Sequence, residues 1–227
     1  MATWNVNLYL KFGKERTQPA IDLISRIHIE EPRRVIDLGC GPGNSTLILR
    51  DRFPKASIIG LDNSSEMIQT AKEQKANVEW VLGDISTWRT NEPFDLSFSN
   101  AAFHWVKNHQ TLLNILMDQV ALGGALAFQI PSHRNSALHK MISAIANEPQ
   151  WGNQFEIAKN EMTAEMPSFY YDCLVSKAVS LEIWETEYYH SMENHQAIID
   201  WISSTGLRPF LNALKNDTEK KSSIHRL

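Results

Sequence analysis

The chain has 227 residues, 43% of them hydrophobic, which is enough to bury one sizeable core and excludes a disordered protein. Lys and Arg total 22 against 26 Asp and Glu, a formal net charge of −4 with no basic block, which disfavours sustained binding to a nucleic-acid backbone. With Cys40 and Cys173 as the only cysteines, no basic leader and no run of about 18 apolar residues, the reading is no disulfide framework, no metal site, no membrane contact and a cytoplasmic location.

Met1 to Gly13 carries Trp4, Tyr9 and Phe12 without clear periodicity and is expected to form an ordered arm or short helix that covers another surface. Thr17 as N-cap, Pro19 in the first turn and an apolar face of Ile21, Ile24 and Ile27 predict a helix ending near His28, closed by Pro32. Val35-Ile36-Asp37-Leu38 then reads as a buried strand entering Gly39-Cys40-Gly41-Pro42-Gly43, and Asn44-Ser45-Thr46 opens a helix that Pro54 stops. The glycines let the backbone lie against a ligand, and the first helical amides point into the same space. A dinucleotide site wants G-x-G-x-x-G with a pyrophosphate on free amides. Here Asn44 stands where the third glycine belongs and Pro42 has no N–H, so the turn suits an adenosyl ligand without phosphates better than NAD.

Ala56 to Leu61 reads as a second strand ending in Asp62, 23 residues after Gly39, where a carboxylate can accept hydrogen bonds from both hydroxyls of a ribose. Asp62 could instead cap the next helix, but Asn63 with Glu66 already supplies that cap. The helix Ser64 to Glu73 and a strand Val78 to Leu82 follow, then Gly83-Asp84-Ile85, where Asp84 can face an adenine amino group and Ile85 a purine face. Gly-Asp is also a common turn pair. A fourth strand, Phe94 to Phe98, runs into Ser99-Asn100-Ala101-Ala102-Phe103-His104-Trp105. A helix from Asn108 and His109 to about Ala121, a turn at Gly123-Gly124 and a fifth strand Ala125 to Ile130 complete five β-α units, hence a parallel sheet with helices on both faces. Ser132 to Lys177, with Phe169-Tyr170-Tyr171, is expected to be a helical lid. Val179, Leu181 and Ile183 set a period of two that predicts a sixth strand over Ala178 to Tyr189. His195 to Ser204 is a helix ended by Gly206, and Leu207-Arg208-Pro209 begins the last one.

Asp37-Leu38-Gly39-Cys40-Gly41-Pro42-Gly43 resembles motif I of the class I S-adenosylmethionine-dependent methyltransferases. A more specific likeness, to the trans-aconitate methyltransferase family, extends over Trp4-Asn5, Leu8-Tyr9-Leu10, Glu15-Arg16, Asn100-Ala101 with Trp105, and Tyr188-Tyr189-His190. It continues in His195-Gln196-Ala197-Ile198-Ile199-Asp200-Trp201 and Thr205-Gly206-Leu207-Arg208-Pro209. The resemblance implies a single α/β domain over 1–227 with a Rossmann-like, doubly wound, mostly parallel sheet. Its parts are an N-terminal helical arm (1–30), a cofactor-binding core (33–131), a helical lid insertion (132–177), and a sixth strand with terminal helices (178–227). It implies S-adenosylmethionine as cofactor, held by Asp37, Gly39, Cys40, Gly41, Asn44, Asp62, Asn63, Asp84, Ile85 and Asn100.

The activity it implies is methyl transfer to a carboxylate of trans-aconitate. A carboxylate is already nucleophilic at neutral pH, so no general base is required. The substrate's carboxylates need partners, for which Arg208 and Arg16 are the first candidates, then His104, His133 and His190, with Trp105 as a wall. That family continues with a helix and an apolar strand completing the sheet, whereas this chain runs from Asn212 into Asp217-Thr218-Glu219-Lys220-Lys221-Ser222-Ser223 and stops at Leu227. The final strand is therefore expected to be missing, leaving an unpaired edge. The alternatives are a methyltransferase for another small-molecule acid, or a cofactor-binding protein inactivated by its short end.

Overall fold

The computed structural model describes residues 6–132, 136–151, 153–214 and 216; Trp4, His133 and the segment 217–227 lie outside it. The aromatic arm forms α1 (Val6–Leu10), and α2 (Gly13–Ser25) starts earlier than the Thr17 cap predicts. Phe12, buried edge-on against Trp201 at 5.3 Å, anchors the helix start, and Thr17 sits inside with its Oγ1 donating to the Gly13 carbonyl at 2.6 Å. The buried stripe is Ala20, Leu23 and Ile24, while Ile21 is 42% exposed.

The central sheet is built from β1 (Arg34–Leu38), α3 (Asn44–Arg52), β2 (Ser57–Asp62), α4 (Ser65–Glu73), β3 (Glu79–Leu82), β4 (Phe94–Asn100), α5 (His109–Asp118) and β5 (Val120–Gln129). All pairings are parallel, in the order β3-β2-β1-β4-β5. Alternation along the strands sends Val35, Ile58, Leu96 and Phe98 towards α2 and α3, and Ile36, Leu38 and Leu61 towards Leu112, Leu113 and Leu116 of α5. The strand order reverses between β1 and β4, so their carboxyl ends open a crevice of the kind that takes ligands in doubly wound sheets.

Two local expectations are corrected. The cap of α4 is Ser64, whose Oγ accepts from Met67 N at 3.3 Å, not Asn63, because β2 extends one residue further and Asp62 Oδ1 takes up Ser64 N at 2.9 Å. Gly123 and Gly124 do not end a helix-to-strand turn. The chain re-enters the sheet at Val120, and the glycine pair forms a bulge across which the register jumps from Phe94↔Val120 to Leu96↔Ala125, with Gly123 at φ +77°.

Beyond the sheet come α6 (Ala137–Ala146), α7 (Glu156–Lys159), α8 (Pro167–Leu174), α9 (His195–Ser203) and α10 (Arg208–Ala213). Ile142, Ala146, Phe155 and Ala158 pack with Ile202, Leu207, Phe210 and Leu214, a core of their own away from the sheet. The α8 helix turns back, with Tyr170 edge-on to Phe128 of β5 at 5.6 Å.

The predicted sixth strand is not formed. Residues 178–190 form no helix or strand and pair with nothing in the sheet, so β5 is an edge among the described residues. Side chains hold this stretch elsewhere: Tyr188 Oη donates to Asp22 Oδ2 of α2 at 2.5 Å, and the Trp184 ring lies 4.3 Å beneath the Arg26 guanidinium. Leu181 packs on the opposite face of the sheet from Trp184, so the segment passes close by the β5 edge without pairing with it. No described helix is long and apolar enough to cross a membrane.

Candidate active site

At the end of β1 the backbone takes φ +78° at Gly39, where an added Cβ would come within 2.2 Å of Ala102 Cβ; only glycine lets this turn abut the loop after β4. Gly41, at φ +56°, has nothing within 4 Å of that position and faces the open crevice. The amides of Gly39 and Cys40 donate to the Leu61 carbonyl at 2.7 and 3.0 Å, and Gly41 N donates to Asp62 Oδ2 at 2.9 Å. Asp62 therefore braces the glycine turn against the end of β2. Burial pushes its carboxyl up, and the amides of Ser64, Gly41 and Asn63 draw it back. Each carboxylate oxygen accepts more than one hydrogen bond, so bracing the turn leaves room to receive ribose hydroxyls.

Asp37 lies fully buried beneath the turn, its Oδ2 accepting from Ser45 Oγ at 2.7 Å and Thr46 Oγ1 at 2.6 Å. Desolvation raises its pKa to about 6 against the pull of those two hydroxyls. Among the described residues its Oδ1 has no hydrogen-bond partner, and neither does the buried Oδ1 of Asn100 at the end of β4. The Cys40 thiol is pushed up by burial and by Asp37 and Asp62, which keeps it an unreactive packing group. Ile85 is buried in the same apolar cluster as Leu38 and Ala102, Asn63 is exposed at the mouth, and Asn44 Nδ2 reaches Thr17 Oγ1 at 3.4 Å. Asp84 is exposed; its Oδ1 accepts from Ser86 N at 2.8 Å and Ser86 Oγ at 2.5 Å, as a turn aspartate does.

The loop after β4 carries His104, which is buried, and Trp105, whose ring lies 4.6 Å from the Arg208 guanidinium. Burial lowers the Arg208 pKa, partly offset by the carboxylate of Glu161. The helical insertion is fastened to this loop: Thr163 N donates to the His104 carbonyl at 2.8 Å, and Lys107 Nζ donates to the carbonyls of Asn160 and Glu161. His109 Nε2 donates to the Phe103 carbonyl at 2.9 Å, which leaves Nδ1 to accept from Tyr170 Oη at 2.8 Å. Glu165 N in turn donates to Tyr170 Oη at 3.1 Å.

Arg16 is stacked between Tyr9 at 4.7 Å and Trp201 at 4.3 Å, and its Nη2 donates to the Trp201 carbonyl and Ser204 Oγ at 2.9 and 2.8 Å. It ties α2 to α9, and desolvation lowers its pKa. His190 rests on Trp201 at 5.0 Å.

One continuous cleft of 2110 Å³ brings together Arg16, Gly39, Cys40, Gly41, Asn44, Asp62, Asn63, Asp84, Ile85, Asn100, His104, Trp105, His190 and Arg208. Asp37 sits just below it, and His133 lies outside the described residues. Among further residues lining the cleft, Tyr9, Gln129 and His139 were not assigned to the site from sequence; the His139 ring lies against Gly206. Tyr9 stood out as an aromatic needing cover and within the family likeness of Leu8-Tyr9-Leu10, without a role in the site, and the other two had no motif around them.

Residues 29–196 match the family described as a methyltransferase domain. This chain belongs to the class I S-adenosylmethionine-dependent methyltransferases. It is 40% identical over 221 residues to a trans-aconitate 2-methyltransferase of Variovorax paradoxus, covering 96% of this chain and 85% of that protein. It is 41% identical over 217 residues to the one from Klebsiella pneumoniae, covering 94% and 83%. Its fold is similar to that of the methyltransferase bound to the Trm112 activator of Haloferax volcanii, with a TM-score of 0.59 at 20% identity over 76% of this chain and 72% of that one. Streptomyces venezuelae DesVI shares the fold at a TM-score of 0.51 and 17% identity, over 60% and 61% of the two chains. The cofactor of this methyltransferase is S-adenosylmethionine, and the residues fit it: an open glycine turn, an acid at the end of β2, a buried isoleucine beside the turn, and orphaned acceptors at the ends of β1 and β4.

Proposed function

We propose that this methyltransferase transfers a methyl group from S-adenosylmethionine to a carboxylate of trans-aconitate, giving the monomethyl ester and S-adenosylhomocysteine. The observation carrying this reading is the Arg208 guanidinium, part-buried and stacked on Trp105 beside the loop that leaves β4. A guanidinium over an aromatic ring is of the type that binds carboxylates bidentately. Two trans-aconitate 2-methyltransferases at about this identity support the choice of acid.

When bound, S-adenosylmethionine supplies an electrophilic methyl group on a sulfonium. Asp62 would hold the ribose, Ile85 and Asp84 the adenine, and Arg208 the acid, with the lid fastened to 103–107 fixing the distance between the two halves. Holding two reactants in line contributes up to about 7 to 11 kcal/mol through effective molarity. His104 and Trp105 make a wall that excludes water, which favours a step in which opposite charges neutralise each other. No side chain has to remove a proton, because the attacking carboxylate is ionised at neutral pH.

The test is kcat/KM for a panel of acids: trans-aconitate, its cis isomer, citrate and a monocarboxylic acid of similar size. The proposal expects trans-aconitate to lead; a higher value for another acid would transfer the assignment to that acid.

A further inference from the structure

Asn100 and Gln129 end β4 and β5, and Asp37 lies one residue before the end of the adjacent β1, all on one face of the sheet. Phe98 pairs with Asp37 and with Ala127, and Asn100 pairs with Gln129 two residues further on. Side chains two residues apart share a face, so all three project on the side that Phe98 and Ala127 share with α2 and α3. Each carries a buried oxygen without a hydrogen-bond partner among the described residues: Asp37 Oδ1, Asn100 Oδ1 and Gln129 Oε1. Buried acceptors are almost always satisfied, and each one left unpaired is destabilising, so two at a ligand crevice with a third just beneath them mark where a donor belongs. Strand spacing of about 4.8 Å places the Asn100 and Gln129 amides close enough to share one group with several N–H bonds. A primary ammonium has three, and the nearby Asp37 carboxyl adds negative charge.

We propose that Gln129 accepts a hydrogen bond from the α-ammonium of the cofactor's aminoacyl arm, alongside Asn100, and so positions the arm in the cleft. This rests on the assignment of S-adenosylmethionine as cofactor.

The test is calorimetric binding of two probes, S-adenosylhomocysteine, which carries the ammonium, and 5′-methylthioadenosine, which lacks the aminoacyl arm. Gln129→Met keeps the length and removes the acceptor. It should weaken S-adenosylhomocysteine about tenfold, the size of one charge-assisted hydrogen bond, and leave methylthioadenosine within about twofold. Equal losses for both probes, or no loss for either, overturn the proposal. Gln129→Glu gives the sign: a carboxylate facing an ammonium should hold S-adenosylhomocysteine at least as tightly as wild type. A tenfold loss in that variant would mean that the amide N–H₂ faces an anion, and would overturn the proposal equally. Wild-type protein that binds neither probe would instead overturn the cofactor assignment beneath it.

Discussion

Replacing Asp37 with Asn should remove a pH dependence that the wild type carries. In the folded protein the carboxyl is fully buried and titrates at about 6 rather than 3.8. Between those values the native state keeps a proton that the unfolded chain has released, so stability falls as pH rises through this window. The shift is about two units at about 1.4 kcal/mol each, hence about 3 kcal/mol lost between about pH 4 and pH 6 and staying lost above it. An asparagine oxygen still accepts from Ser45 and Thr46, so the local geometry survives while the titration disappears. The assay is urea unfolding without cofactor at several pH values for both proteins. The wild-type curve should drop relative to Asp37→Asn as pH rises through the window; two parallel curves would refute the buried-carboxylate reasoning.

Arg208→Lys should lower kcat/KM for trans-aconitate at least about tenfold with little change in thermal stability, because an ammonium cannot give two parallel N–H bonds; equal values in a steady-state assay would move the anion contact elsewhere. Tyr170→Phe removes the bonds to His109 Nδ1 and Glu165 N, and should cost about 1 to 2 kcal/mol in denaturant unfolding. An unchanged midpoint would deny this latch a role in stability. In native-state hydrogen exchange, slow amides of β5 should be those donated to β4. Protection along both edges of β5 would reveal a further strand paired there.

Much of the crevice was legible because its signals are local. The glycine turn, Asp62 at the end of β2 and Asp84 after β3 follow from where strands stop, and hydrophobic pattern marks those stops. The sixth strand failed for a physical reason: alternation at Val179, Leu181 and Ile183 says which way side chains point, not whether a ladder partner lies alongside. Tyr188 on Asp22 and Trp184 under Arg26 decided that contest through contacts far apart in sequence. The same distance effect hid Gln129, a lone polar residue at the end of an apolar strand, which gains meaning only from its register with Asn100. Arg16 lines the cleft, and what its residue type did not disclose is the long-range tie of its Nη2 to the α9 end.

The most direct test of the account is to incubate the protein with S-adenosylmethionine isotopically labelled in its methyl group and with trans-aconitate, and to identify the products by mass spectrometry. The account predicts the label in a monomethyl ester of the acid, formed together with S-adenosylhomocysteine. Cofactor that binds but leaves its label on no carboxylate would contradict it.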